Sequence, residues 1–300
     1  MTLPIGRGEW IIFDTNIVRG PVEGQGDKLD LVEFQKSKGL HPVGLAIGAA
    51  LELLYWLQHS ASDASFARVG SVLEKFGRIL DPEFPIAPET PDLAGFAGLG
   101  PYPDNRTRAD ASSLSKVLWR KLQAIRTRED ALRPIEVVLP SGRRMTVAPE
   151  GGPKGALKRI GDNWIDPLLV PLAKQLAKED PEYEGLTDAH AKRFFENTKQ
   201  KAAAWLGLPI HALERLDLQV QMMLRRTRLV TRPEFQPPKK ATSNAAVDTA
   251  LLFYMVLPAV VCTDDGAFVN AVREQRSEDR VRVMLPSELL GWLRSGVLPT

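Results

Sequence analysis

One cysteine, Cys262, stands in 300 residues. No disulfide can form within the chain, and no cysteine-rich zinc site can be built from it. Histidine is nearly as scarce. His41, His59, His190 and His211 lie in unrelated settings without paired ligand spacing, which makes each a surface or packing residue. Neither charge sign dominates: 39 Lys and Arg oppose 37 Asp and Glu, for a net +2. Bulk charge therefore names no partner, and only local clusters are informative. Long apolar runs are missing too, so neither a signal-peptide core nor a bilayer-crossing segment is expected. With so little cysteine, the expectation is a cytoplasmic protein with no membrane partner. No internal repeat or low-complexity tract is present. What remains is an ordinary globular composition, 44% hydrophobic and 25% charged, able to bury a core in one large domain or two modest ones.

The most informative stretch is Glu9-Trp10-Ile11-Ile12-Phe13-Asp14-Thr15-Asn16-Ile17-Val18. Its apolar run, rich in β-branched and aromatic residues, predicts a strand buried on both faces, as in a parallel sheet. Asp14 ends the run where such a strand emerges at its carboxyl end, the edge at which open α/β sheets bind ligands. After a Gly-containing loop, Leu29 to Ser37 offers a short amphipathic segment with Leu31, Val32 and Phe34 for a core. Pro42 to Ile47 reads as a second short strand. It leads into a helix from Gly48 to Leu57 that is apolar nearly all round, except for Glu52. A carboxylate there is costly unless it has a partner or snorkels to solvent.

The middle of the chain is different. Ser62 to Leu80 predicts a helix with Phe66, Val69, Val72, Leu73, Phe76 and Leu80 on one face. Asp81 to Asn105 is Pro- and Gly-rich and reads as irregular. Ala111 to Arg126 is helical. Ile135–Leu139 and Arg144–Val147 flank Pro140-Ser141-Gly142-Arg143 as a hairpin. Helical patterns resume at Gly155–Glu179, interrupted at Pro167 and Pro171, and again at Thr187–Leu206 and Pro209–Arg228. Gly151-Gly152-Pro153-Lys154-Gly155 lacks the Gly-Lys-Ser/Thr ending of a phosphate loop and reads as a plain loop.

Alternating α/β character returns at the end. Ser243 and Asn244 are candidate N-caps for a helix running from Ala246 through Asp248 to Tyr254. Ala259–Cys262 is a buried strand ending at Thr263-Asp264-Asp265. A helix follows from Gly266 to Arg273, then a strand from Val281 to Leu285. Pro286-Ser287-Glu288 opens a last helix. The expected fold class is therefore α/β, with a central parallel sheet made jointly by the two ends of the chain. The core comprises residues 1–80 and 240–300. A mainly helical insertion containing the hairpin, 81–239, adds some connecting helices to that core.

Phe13-Asp14-Thr15-Asn16 after a buried strand resembles the opening motif of PIN-domain nucleases. Glu52 sits where that family keeps an acid, on the helix after the second strand. Asp248 is similar to its third acid, near a helix start. Thr263-Asp264-Asp265-Gly266-Ala267-Phe268 resembles its closing Thr-x-Asp-x-x-Phe pattern, with Asp265 as the fourth acid. The resemblance covers roughly the first and last fifths of the chain and implies a PIN-like three-layer α/β/α core. It also implies a hydrolase, a cytoplasmic endoribonuclease. The catalytic and metal-binding residues would be Asp14, Glu52, Asp248 and Asp265, supported by Asn16, Thr263 and Asp264. The separation of Glu52 from Asp248 is far longer than compact members of that family need. A protein partner, a regulator or an antitoxin-like protein, would then dock on the insertion.

The chemistry agrees. Two carboxylates about 4 Å apart repel by about 4 kcal/mol at an effective dielectric near 20. Such a cluster persists only if one holds a proton or a cation sits among them. All-oxygen donors favour Mg2+ or Mn2+ over zinc. Asp264, beside Asp265, leaves the register open by one residue, and the spacing to Phe268 favours Asp265. Basic residues cluster nearby in sequence: Arg225, Arg226, Arg228, Arg232, Lys239 and Lys240 are opposed only by Glu234. Arg143, Arg144, Lys154, Lys158 and Arg159 add positive charge. A phosphate-tracking surface beside an acidic site suits a nucleic acid, with RNA favoured by the resemblance alone. The alternatives are a structure-selective DNA nuclease and a non-catalytic nucleic-acid-binding or scaffold protein.

Overall fold

The computed structural model describes residues 9–27, 29, 41–88, 90–147, 152–155, 166–180, 182–185, 187, 189, 215–232, 234–235, 248–297 and 299. Strand β1 (Trp10–Phe13) is buried throughout, as its uninterrupted apolar run requires. Helix α1 (Thr15–Glu23) follows at once, capped by Asp14 and stopped by Gly24 in the left-handed region, where the helix-ending N–H bonds reach Gly20 and Pro21. Strand β2 (Val43–Leu45) leads into α2 (Ile47–His59), whose buried residues include Leu53, Leu54 and Leu57. Helix α3 (Asp63–Gly77) starts at a Ser62 cap and buries Phe66, Val69, Val72, Leu73 and Phe76 of the expected stripe, but ends before Leu80, which is buried beyond it.

The expected irregular stretch from Asp81 to Asn105 is more ordered than its Pro and Gly content suggested. Ile86 bridges to Leu45 in parallel, so the segment runs along the outer edge of β2. Helix α4 (Thr90–Phe96) follows, with its proline in the first turn, where no backbone N–H is needed. Burial of Leu93, Ala94 and Phe96 holds that helix, and Phe96 packs edge-on to both Trp10 and Phe84. Helix α5 (Arg108–Ala124) begins in a reciprocal Thr107–Asp110 capping box, and the short α6 (Arg128–Leu132) in a Thr127–Asp130 box.

The hairpin forms as β3 (Ile135–Val138) and β4 (Arg144–Val147), paired antiparallel, with Gly142 at φ 85° in the turn. Asp110 anchors it, accepting from Ser141 N at 2.9 Å. Helix α7 (Asp166–Glu179) runs through Pro171 without ending, against the expected interruption. Pro167 falls in the first turn, and Pro171 removes only the one backbone bond its N–H would have made. Gly152–Gly155 form a helical turn rather than a loop. Helix α8 (Asp217–Val230) buries Leu218, Met222 and Val230. Of the expected segments, residues 30–37, 156–165, 187–206, 209–214 and 246–247, and the caps Ser243 and Asn244, lie outside the described residues, Thr187 and Ala189 excepted.

Asp248–Ala250 are helical, but Leu251–Val256 tightens into a 3-10 helix instead of continuing as α. Packing overrides the local preference here. The Tyr254 hydroxyl bonds to the carbonyls of Ala87 and Pro88 and accepts from Ile47 N at 3.2 Å, pinning this segment to the sheet edge. Strand β5 (Ala259–Cys262) is wholly buried, and α9 (Gly266–Arg273) starts at an Asp265 cap. The last strand, β6, is only Val283–Met284. Val281 and Arg282, expected to begin it, belong instead to a 3-10 turn (Glu278–Arg282) capped by Ser277, with Arg282 paired to Asp279 and Glu9. Helix α10 (Pro286–Ser295) closes the described chain, with proline in its first turn.

All four core strands are parallel, in the order β2-β1-β5-β6. Trp10 pairs with Ala259 and Phe13 with Cys262, so the two ends of the chain meet at the centre of one helix-flanked sheet. One hydrophobic core joins this sheet to residues across the expected 80/81 boundary, including Phe84, Leu93, Leu118, Trp119 and Leu122. Leu216, Leu218 and Met222 belong to it as well. These parts of the middle therefore serve as connecting layers of the core. Among the described residues no helix is long and apolar enough to cross a membrane.

Candidate functional site

The strand order reverses direction between β1 and β5: from β1 the chain moves outward to β2, whereas β5 lies on its other side. Such a switch point leaves a crevice at the carboxyl ends of the two strands, because their following segments diverge. Asp14 follows β1 and Asp265 follows β5 by three residues, so both border that crevice.

Asp14 continues the sheet by one bond, its N–H donating to Cys262 O at 3.0 Å. Its side chain is only 6% exposed. Oδ1 accepts from Thr15 N at 2.6 Å, and Oδ2 from the Thr263 hydroxyl at 2.8 Å. The Thr263 oxygen in turn accepts from Asn16 Nδ2 and from Asp265 N, each at 3.1 Å. One donor and two acceptor positions are all that a hydroxyl has, and Thr263 uses each of them. Asn16 Oδ1 accepts from Asp264 N at 2.9 Å, which fixes the amide's orientation. Asp265 Oδ1 accepts from Phe268 N at 2.9 Å, capping α9. This accounts physically for an Asp three residues before Phe268.

Glu52 lies one and a half turns into α2, and its Oε2 accepts from the Thr15 hydroxyl at 2.5 Å. Asp248 occupies the helical turn before the 3-10 segment that feeds β5. Burial raises the Asp14 carboxyl above its ordinary range, opposed by its hydrogen bonds with Thr263 and Thr15, and the charge of Asp265 adds to the rise. Burial likewise raises Glu52 to about 6; the Thr15 bond opposes it and the Asp14 charge adds to it. Asp248 goes furthest, to about 8, through burial and then the charges of Asp14, Glu52 and Asp265. The structure thus brings Asp14, Glu52, Asp248 and Asp265 into one electrostatically coupled group. Burial raises the thiol of the fully buried Cys262 well above the usual range, and the charges of Asp14 and then Asp264 add to the rise.

The donor chemistry of this group fits a hard divalent cation. Each acceptor oxygen of Asp14 keeps a second lone pair beyond its hydrogen bond, and every side chain offered is a carboxylate. Among the described residues, no three His, Cys, Asp or Glu side chains stand close enough together to hold a metal ion as they are placed here. Loading would require the carboxylates to draw in.

Two residues in this neighbourhood escaped the sequence reading. Thr15 links Asp14 to Glu52, and only its adjacency to Asp14 hinted at that. Arg19, one helical turn further on, acts on Glu52 with its positive charge, but nothing in its sequence setting distinguishes it.

Parts of the basic run are engaged within the protein. Arg225 pairs with Glu274 at 2.9 Å, at the end of α9 remote from Asp265. Arg226 lies over the Phe235 ring. Arg228 and Arg232 are exposed, as are Arg143, Arg144 and Lys154, whereas Lys158, Arg159, Lys239 and Lys240 lie outside the described residues. His41 bonds Glu9 O and packs on Trp292, and His59 packs on Tyr55. His190 and His211 lie outside the described residues. Two surface grooves between α3 and residues 123–128 contain none of the coupled acids. No family model, curated protein or solved structure matches this chain.

Proposed function

We propose that this protein is a metal-dependent nuclease that hydrolyses phosphodiester bonds, with RNA the favoured substrate. The observation that carries the reading is the coupling of Asp14, Glu52, Asp248 and Asp265 at the β1/β5 switch point. The parallel sheet with helices around it supports the finer description as a PIN-like three-layer α/β/α core, and the preference for RNA follows that resemblance.

Asp14, Glu52, Asp248 and Asp265 would hold Mg2+ or Mn2+, which when bound supplies Lewis acidity toward a phosphate oxygen and makes water more acidic. The remaining work belongs to the chain. The Thr263 hydroxyl and the Asn16 amide hold the Asp14 carboxylate and the Thr263–Asp265 backbone in one arrangement, so these two parts of the site stay fixed while the other carboxylates draw in. Thr15 orients Glu52 in the same way. The exposed Arg228 and Arg232 would meet phosphates without reading bases. A protein partner, regulatory or antitoxin-like, would dock on the insertion.

That no three carboxylates among the described residues are placed to hold a metal favours one other reading, a nucleic-acid-binding protein without catalysis. A single experiment separates the two. Purified protein is incubated with labelled single- and double-stranded RNA and DNA in Mn2+, Mg2+ or EDTA. Cleavage is expected with Mn2+ or Mg2+ and none with EDTA. Asp14→Asn should remove nearly all of it while the circular dichroism spectrum is unchanged. Full activity in that variant would place the chemistry elsewhere. Preference for DNA would correct the substrate, and binding without cleavage would leave the second reading standing.

A further inference from the structure

Residues three, four and seven apart share one face of a helix. On α2 this spacing aligns Glu52, Tyr55, Trp56 and His59, with Trp56 buried where the stripe borders the face of Leu53, Leu54 and Leu57. Glu52 belongs to the coupled acids, so the stripe runs from the site along the helix for roughly 10 Å at 1.5 Å per residue. The Tyr55 and His59 rings lie 4.5 Å apart between centroids, with Tyr55 half-buried and His59 exposed. Arg19 reaches the same stripe from α1, its guanidinium carbon 5.1 Å from the centre of the Trp56 ring. Glu23 holds that guanidinium in plane, accepting from Nε at 2.9 Å and from Nη2 at 2.8 Å. Among the described residues nothing bonds the Nη1 edge, and the side chain is 43% exposed. A fixed cation beside an exposed imidazole, a half-buried phenol ring and an acidic cluster matches a nucleotide better than a protein or a lipid: one side takes a phosphate, the other a base.

We propose that Arg19 and the Tyr55–Trp56–His59 stripe form a subsite for one unpaired nucleotide beside the acid cluster. The inference rests on the nuclease reading and narrows its substrate to single-stranded nucleic acid. Arg19 takes a phosphate next to the scissile one, Trp56 supports the guanidinium from beneath, and the Tyr55 and His59 rings stack a base. A base inside a duplex hides its faces against its neighbours, so only an unstacked one can use this surface. Stacking needs no particular base, and the subsite is therefore tolerant of sequence.

The test measures binding of the full chain in Ca2+ to three labelled probes: a uridine oligomer, a thymidine oligomer and a blunt-ended duplex. The double variant Tyr55→Leu/His59→Ala should lose about tenfold in affinity for both single strands, since one stacked base contributes enough for that change. Its duplex binding should stay as in the wild type. His59→Ala alone, at an exposed position, should weaken single-strand binding in the same sense and leaves the test intact if the double variant fails to fold. Arg19→Gln should flatten the salt dependence by about 0.7 in logarithmic slope, one phosphate's worth, and Arg19→Lys should keep it. Single-strand affinity unchanged by the double variant and by His59→Ala, or equal losses on strand and duplex, would overturn the proposal. Cleavage in Mn2+ is scored separately. A wild type that cleaves, with variants that bind normally, keeps the nuclease and removes the subsite. A wild type that binds through the stripe but never cleaves does the reverse.

Discussion

Thr263 is the residue on which the site's geometry turns. It is fully buried, and its hydroxyl ties the Asp14 carboxylate, the Asn16 amide and the Asp265 backbone together. Thr263→Val keeps the shape and leaves those buried groups short of partners, so unfolding stability in urea should fall by about 1–3 kcal/mol, with a larger relative loss of cleavage. Thr263→Ser restores the hydroxyl and should recover most of both. The coupled acids also set a pH dependence. Asp248 rises from 3.8 to about 8 and Glu52 from 4.5 to about 6 on folding. Between those limits the folded chain holds protons that the unfolded chain releases, so stability falls as pH rises. In EDTA the midpoint of urea unfolding should therefore decline from acid toward pH 8. Asp248→Asn should remove the upper part of that decline, and Mn2+ should reverse it in the wild type. A flat wild-type profile would mean that the acids are not coupled. At the same scale, Asp265→Asn should impair cleavage severely and Asp264→Asn mildly; the opposite ranking would move the site by one residue.

Single side chains also join one element to another. Asp110 is fully buried, closes the capping box of α5 with Thr107 and accepts from Ser141 N in the hairpin turn. Burial alone would raise its pKa, but the bonds from Ser141 and Thr107 prevail and hold it below the usual carboxylate range. A depressed carboxyl stabilises above its unfolded pKa of 3.8, and that contribution is lost as pH falls through the folded value. Asp110→Ala should cost about 1–3 kcal/mol in urea. Amide hydrogen exchange should then quicken across residues 135–147 more than in the sheet. Uniform quickening would show that the hairpin is held by its other contacts instead. The helix caps at Asp14 and Asp265 have a similar double use: each begins a helix and places a carboxylate at the crevice.

For the whole molecule, the parallel order β2-β1-β5-β6 brings residues far apart in sequence to one crevice. The basic run lies to one side of it, and pairing of Arg225 with Glu274 lowers the charge available there. Replacing the exposed Arg228 and Arg232 by Gln should flatten the salt dependence of nucleic-acid binding and weaken single strands and duplexes alike. Titration in Ca2+ across a salt series checks this. An unchanged slope would make α8 a solvated face and favour a protein partner for it.

Much of this architecture was legible in local sequence. Buried parallel strands announce themselves as apolar runs, so β1 and β5 stood out, and the Asp14 and Asp265 carboxylates stood at their ends. The hairpin was legible because its turn chemistry is local. Other features depended on partners remote in the chain. Tyr254 is bound to Ala87 and Pro88, so the 3-10 form of its segment was decided by that packing rather than by propensity. Ile86 joins the sheet edge although its Pro- and Gly-rich surroundings read as irregular. Thr15 and Arg19 acquire meaning only when α1 packs on α2 and brings them to Glu52 and Trp56. Sequence alone determined the elements and the acids at their ends, because apolar period and capping act within a few residues. The coupling of those acids, and the wall beside them, were decided by tertiary structure, because Coulomb interactions and stacking depend on distances that only the packed sheet sets.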